Sequence, residues 1–66
     1  MTSSSVLFEN GNYSACFMRD NSLIVQNKRT GKGYRMIGEN AAIWADNIKN
    51  AIDKSEANLL CKVICQ

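Results

Sequence analysis

Between Glu39 and Ser55 the apolar residues fall at Ala41, Trp44, Ala45, Ile48, Ala51 and Ile52, the three-then-four spacing of one helical face. Asn40, Asp46, Asn47, Asn50 and Lys54 fall mostly on the opposite side. Gly38 and the Glu39-Asn40 pair supply a start, because short polar side chains accept from the orphan amides of a first helical turn. Trp44, Ile48 and Ile52 stack on successive turns, so this helix needs an apolar surface to lie on.

The preceding residues alternate rather than repeat by turns. Ser5–Glu9 and Asn12–Arg19 read as strands joined by Asn10-Gly11, a dipeptide suited to the positive φ of a two-residue hairpin turn. Taken literally, it sets Phe8 opposite Tyr13 and Val6 opposite Ala15. Asp20-Asn21 forms a second turn, Leu23–Asn27 a third strand, and Arg29-Thr30-Gly31 a third turn with glycine in the left-handed position of a bulge. That last turn pairs Lys28 with Lys32 and Ile24 with Met36. The spacing predicts an α+β fold: a four-stranded antiparallel meander followed by a C-terminal helix, bent or split near residues 53–56, packed on one sheet face. Asp53, with Glu56 three residues on, fits a helix restart. The run Glu56–Gln66 suits helix or strand by period alone, and Ala57, Leu59, Leu60 and Lys62 favour helix.

Chaining these registers divides the sheet into two faces. One collects Val6, Phe8, Tyr13, Ala15, Phe17, Ile24, Tyr34 and Met36, and the helix lies there with Trp44 against Phe17 or Tyr34. The other collects Leu7, Cys16, Met18, Leu23, Val25 and Ile37. A solvated face of an antiparallel sheet is normally polar, and this one is not. With the apolar terminal run it offers Leu7, Met18, Leu23, Val25, Ile37, Leu60 and Ile64 as a partner-binding surface, since an uncovered patch of that size marks association. The expected partner is a protein, first of all a second copy in a two-fold homodimer.

Sixty-six residues hold one domain, 1–66, with Met1–Ser4 as a loose polar tail. A chain of this size buries little core and usually draws support from a disulfide, a metal or a second subunit. Three cysteines (Cys16, Cys61 and Cys65) without histidine make neither a closed disulfide framework nor a four-ligand zinc site. Self-association is the remaining support. The start Met-Thr-Ser-Ser-Ser is followed by only three apolar residues, which predicts no secretory signal. No apolar run approaches a membrane span. The expectation is a reduced, cytoplasmic protein with no cofactor.

Charge and chemistry add one alternative. The net charge is only +2, yet Lys28, Arg29, Lys32 and Arg35, four of the eight basic residues, gather at the third turn beside Tyr34. Cations tracking phosphates with a ring stacked on a base would make Lys28, Arg29, Lys32, Tyr34 and Arg35 a nucleic-acid surface. Such charges also simply solvate a hairpin tip. Gly31-Lys32-Gly33 lacks the spacing of a phosphate-cradling loop. Six scattered carboxylates and no histidine leave no acid–base constellation, so an enzyme is not expected.

Overall fold

The computed structural model describes residues 4–65. The order is β1 (Ser4–Glu9), β2 (Tyr13–Met18), β3 (Leu23–Asn27), β4 (Gly33–Met36), α1 (Gly38–Lys49) and α2 (Lys54–Ile64). The strands form an antiparallel meander in the order β1-β2-β3-β4, the α+β architecture that the alternating pattern predicts. Of the loose tail expected over Met1–Ser4, residues 1–3 lie outside the described residues. Ser4 belongs to β1.

Each turn is displaced from its expected form. At the first, Asn10 N–H donates to the Tyr13 carbonyl at 3.0 Å, so Gly11-Asn12 are the central pair rather than Asn10-Gly11. The Asn10 side chain is the cause: its Oδ1 accepts from the backbone N–H of Asn12 and of Tyr13, each at 2.8 Å. At the second, Met18 N–H donates to Ser22 O at 2.7 Å and Asn21 N–H to Met18 O at 3.0 Å. The loop is therefore three residues, Arg19-Asp20-Asn21, with Asn21 in the left-handed region at φ 66°. At the third, Asn27 rather than Lys28 pairs with Lys32, giving a four-residue loop closed by Gly31 at φ 77°. The unfavourable Lys28–Lys32 pairing does not form.

Single-residue displacements exchange faces. In β3, Leu23 pairs with Phe17 and Val25 with Ala15, so both lie on the covered face and Ile24 on the other, the reverse of the expected assignment. The third turn adds a second offset that cancels the first, leaving Tyr34 and Met36 on the face expected for them. In β1 the moved first turn sets Phe8 opposite Ala15 instead of Tyr13, and a bulge at Leu7 carries Val6 opposite Cys16 instead of Ala15. Val6 therefore turns away from the helices, and Leu7 packs against the core.

Both helices lie on one face. α1 packs on β1 and β3, α2 on β2 and β3, and the two touch each other. Between sheet and helices sit Ala15, Leu23, Val25, Ala41, Ala45, Ile48 and Cys61, bordered by Phe8, Phe17, Met36 and a half-buried Trp44. The first helix stops at Lys49 with Asn50 as its C-cap, so Ile52 lies in the connection, 88% exposed, instead of on the helix's apolar face. Ile37, not Glu39 or Asn40, holds the N-cap position, and it makes no side-chain cap hydrogen bond. The restart at Asp53 forms as its spacing predicts: the carboxylate accepts from Glu56 N–H at 2.9 Å. The terminal run is helix from Glu56 to Ile64. No helix among the described residues is long and apolar enough to cross a membrane.

Candidate functional site

With both helices on one side, the opposite face of the sheet has no element of the described chain packed over it. Its central row runs Val6, Cys16, Ile24, Arg35 across four strands. The row beside it runs Glu9, Ser14, Gln26, Gly33. Val6 is 62% exposed, and Cys16, Met18 and Ile24 are half-buried. Alternation explains the mixture, because every second residue of a strand whose partners build the core must point to this side.

Two ion pairs bound the apolar band. At one end Lys28 Nζ lies 2.7 Å from Glu9 Oε2. At the other, Arg35 donates to Asp20 Oδ2 at 2.8 Å, while Asp20 Oδ1 accepts from the Ser22 hydroxyl at 2.6 Å and its N–H at 3.1 Å. The Ser22 hydrogen bonds, and then the Arg35 guanidinium, hold Asp20 below the usual carboxylate range. Lys28 does the same for Glu9. A recess of about 450 Å³ opens between Met18, Ile24 and the Asp20–Arg35 pair. Along the sheet edge, β1 borders two further open recesses of about 460 and 530 Å³, which Ile48, Ala45 and Lys49 of α1 also line.

The residues expected to bind a partner are dispersed by this arrangement. Met18 lies on the uncovered face. Leu23 and Val25 have no exposed surface, because the three-residue second turn places them under the helices, and the β1 bulge lets Leu7 pack with them. Leu60 and Ile64 are half-buried against the same core, so the terminal helix is docked on its own chain and does not reach the second face. Ile37 is 67% exposed, but at the start of α1 rather than on the sheet. Sequence reasoning missed Val6 and Ile24 as members of the uncovered face. The signal available for Ile24 was the asparagine of Asp20-Asn21, whose tolerance of positive φ allows the three-residue loop.

The basic set is likewise divided. Lys28 and Arg35 are engaged by carboxylates, and Tyr34 and Arg35 project to opposite faces of β4. Arg29 and Lys32 are exposed at the loop. The cysteines are free thiols; burial and then the neighbouring Cys65 push Cys61 up to about 11, and burial also raises Cys65. Among the described residues no group of three or more His, Cys, Asp or Glu side chains is placed to hold a metal ion. Comparison with protein families, curated proteins and solved structures finds no match to this chain.

Proposed function

We propose that the protein is a protein-interaction module that works by binding rather than by catalysis, and that a second copy of itself docks on the uncovered face of the sheet. The observation that carries this reading is the placement of both helices on one face, which leaves Val6, Cys16, Met18 and Ile24 as an apolar band across three strands. Sheets packed face to face interdigitate such residues at about 10 Å separation. The rims suit a two-fold partner, because each carries one cation and one anion. Neither rim therefore meets a net like charge, whichever end of the second copy it faces. A cytoplasmic setting fits three free thiols, which a reducing compartment preserves.

The test is the oligomeric state of the full chain by sedimentation or light scattering over a wide concentration range, with Ile24→Lys as the variant. The wild type is expected to self-associate, and I24K to weaken association at least about tenfold while staying folded, since one buried charge at an interface costs more than a single tenfold step. A strict monomer at every concentration, or an unchanged dimer in I24K, overturns the reading. Binding of a different protein through the same band by a strictly monomeric chain overturns the second-copy part of it alone.

A further inference from the structure

The turns that displace the strand registers also build a recess of about 440 Å³ on the far side of the molecule from the Asp20–Arg35 rim. Three parts of the chain meet there. Asn12 and Tyr13 come from the first turn, Asn27, Arg29 and Thr30 from the third, and Asn58 and Lys62 from α2. The last two are four residues apart, on one face of the helix. Among the described residues no carboxylate lines the recess. Among the described residues neither Arg29 nor Lys62 takes part in an ion pair, the nearby Lys28 being engaged by Glu9.

Three of the polar side chains lining this recess have their oxygens engaged by the fold. Asn10 Oδ1 accepts two backbone N–H groups, which fixes its amide so that Nδ2 must donate, and it donates to Asn58 Oδ1 at 2.8 Å. That pairing identifies Asn58 Nδ2 as a donor. Asn27 Oδ1 accepts from the N–H groups of Arg29 and Thr30 at 2.9 and 3.3 Å, which leaves Asn27 Nδ2 as a second donor. Thr30 Oγ1 accepts from Lys32 N–H at 3.3 Å, leaving its hydroxyl proton as a third. The fold has thus engaged the side-chain oxygens of Asn27, Thr30 and Asn58 and left their donors beside Arg29 and Lys62, neither of which is in an ion pair among the described residues. Such a surface is complementary to an oxyanion with many acceptor sites and a double charge.

We propose that this recess binds a phosphoryl group, carried as a terminal phosphomonoester, with Arg29 and Lys62 supplying charge and the Asn27 and Asn58 amides supplying directed hydrogen bonds. A monoester presents three acceptor oxygens and close to two negative charges, matching the two cations and the array of donors. A diester offers one charge and two free oxygens to the same array.

The experiment is titration of the full-length protein, followed by two-dimensional NMR at constant ionic strength. The probes are inorganic phosphate, a ribonucleoside 5′-monophosphate and a short single-stranded oligonucleotide lacking terminal phosphates. Phosphate and the monophosphate are expected to produce saturating shifts confined to the first and third turns and the face of α2 bearing Asn58 and Lys62. The double variant Arg29→Ala, Lys62→Ala is expected to lose at least tenfold in affinity. Arg35→Ala, on the other face of the sheet, is expected to match the wild type. Spectral dispersion of each variant reports its fold independently of binding. Shifts that never saturate, binding unchanged in the double variant, or saturation only with the unphosphorylated oligonucleotide overturns the proposal. Because none of these residues lies on the apolar band, loss of self-association in I24K leaves this outcome untouched.

Discussion

On β3, Leu23 and Val25 have no exposed surface, while Ile24 between them stays half-exposed on the opposite face. The three residues are near equals in hydrophobicity and strand preference, so composition does not explain their different fates. On the covered face the helices bring Ala41, Ala45, Ile48 and Cys61 into one buried cluster with Leu23 and Val25. The uncovered face has ion pairs at its ends instead of a second layer. One side of the sheet is therefore where stability resides, and the other is free to be used for recognition.

That contrast is broken most severely by truncation. Leu23→Ala is expected to cost about 2–5 kcal/mol, the range for a fully buried leucine whose surroundings relax only partly. A domain of this size has a total stability of the same order, so the variant should be largely unfolded in mild denaturant. Ile24→Ala, one residue away, is expected to cost less than about 1 kcal/mol at low concentration, where the chain is monomeric. Urea midpoints for the two variants decide the matter, and equal midpoints would mean that the two faces are not different.

The cysteines sharpen the same comparison. Cys61 lies in the core with no exposed surface and its thiol pushed up to about 11, whereas Cys16 is half-exposed at the centre of the other face. Raising a thiol from 9.0 to about 11 lowers its thiolate fraction about 100-fold, before access is counted. Native protein near pH 8 is expected to take a thiol reagent at Cys16 first, with Cys61 modified only at the rate of unfolding. If a second copy covers the band, modification of Cys16 should slow as protein concentration rises, while that of Cys61 should not. Mass spectrometry of timed samples separates the two sites.

How far this could be read beforehand depends on turns rather than strands. The order of elements, the helix over Ala41–Ile48 and the restart at Asp53 follow from patterns several residues long, where one misplaced residue does little harm. A strand's face has no such tolerance, since its period is two. Asn10 took the amides of Asn12 and Tyr13 onto its side chain and moved the first turn by one residue. Asn21 adopted φ 66° and added a residue to the second, which exchanged Ile24 with Leu23 and Val25. The bulge at Leu7 has no local signal in Val6-Leu7-Phe8, three apolar residues in a row. The recess at Arg29 and Lys62 was illegible for a different reason: it joins residues more than thirty positions apart, and its donor character depends on which side-chain oxygens the turns consume.

Asn21 tests that account of the second turn. At positive φ a residue with a Cβ pays about 1 kcal/mol unless its side chain is asparagine or aspartate, and glycine pays nothing there. Asn21→Ala should therefore lower stability by about 1 kcal/mol, and Asn21→Gly should equal or exceed the wild type. Thermal or urea unfolding of the pair reads this directly. A two-residue turn at Asp20-Asn21 would need positive φ at Asp20 as well, so Asp20→Gly would then be more stable than Asp20→Ala, and that result would remove the assignment of Ile24 to the uncovered face.

The smallest expected effect concerns the rims of that face. Asp20 is held below its ordinary 3.8, chiefly by the Ser22 hydroxyl and N–H and then by Arg35, and Glu9 below its ordinary 4.5 by Lys28. A carboxylate whose folded pKa is depressed adds stability above its unfolded value, and that contribution disappears as pH falls through the folded value. Acidification from neutrality should leave the contribution intact until the range just above those ordinary values and remove it below them. Asp20→Asn keeps an oxygen to accept from Ser22 but removes the charge, so it should be less stable than the wild type at neutral pH and approach it under acid conditions. Both carboxylates are solvent-facing, so the difference should be small and should shrink further in high salt. Curves for wild type and D20N that stay parallel through the acid range would show that the Asp20 charge, with Ser22 and Arg35 beside it, adds nothing to the stability of the fold.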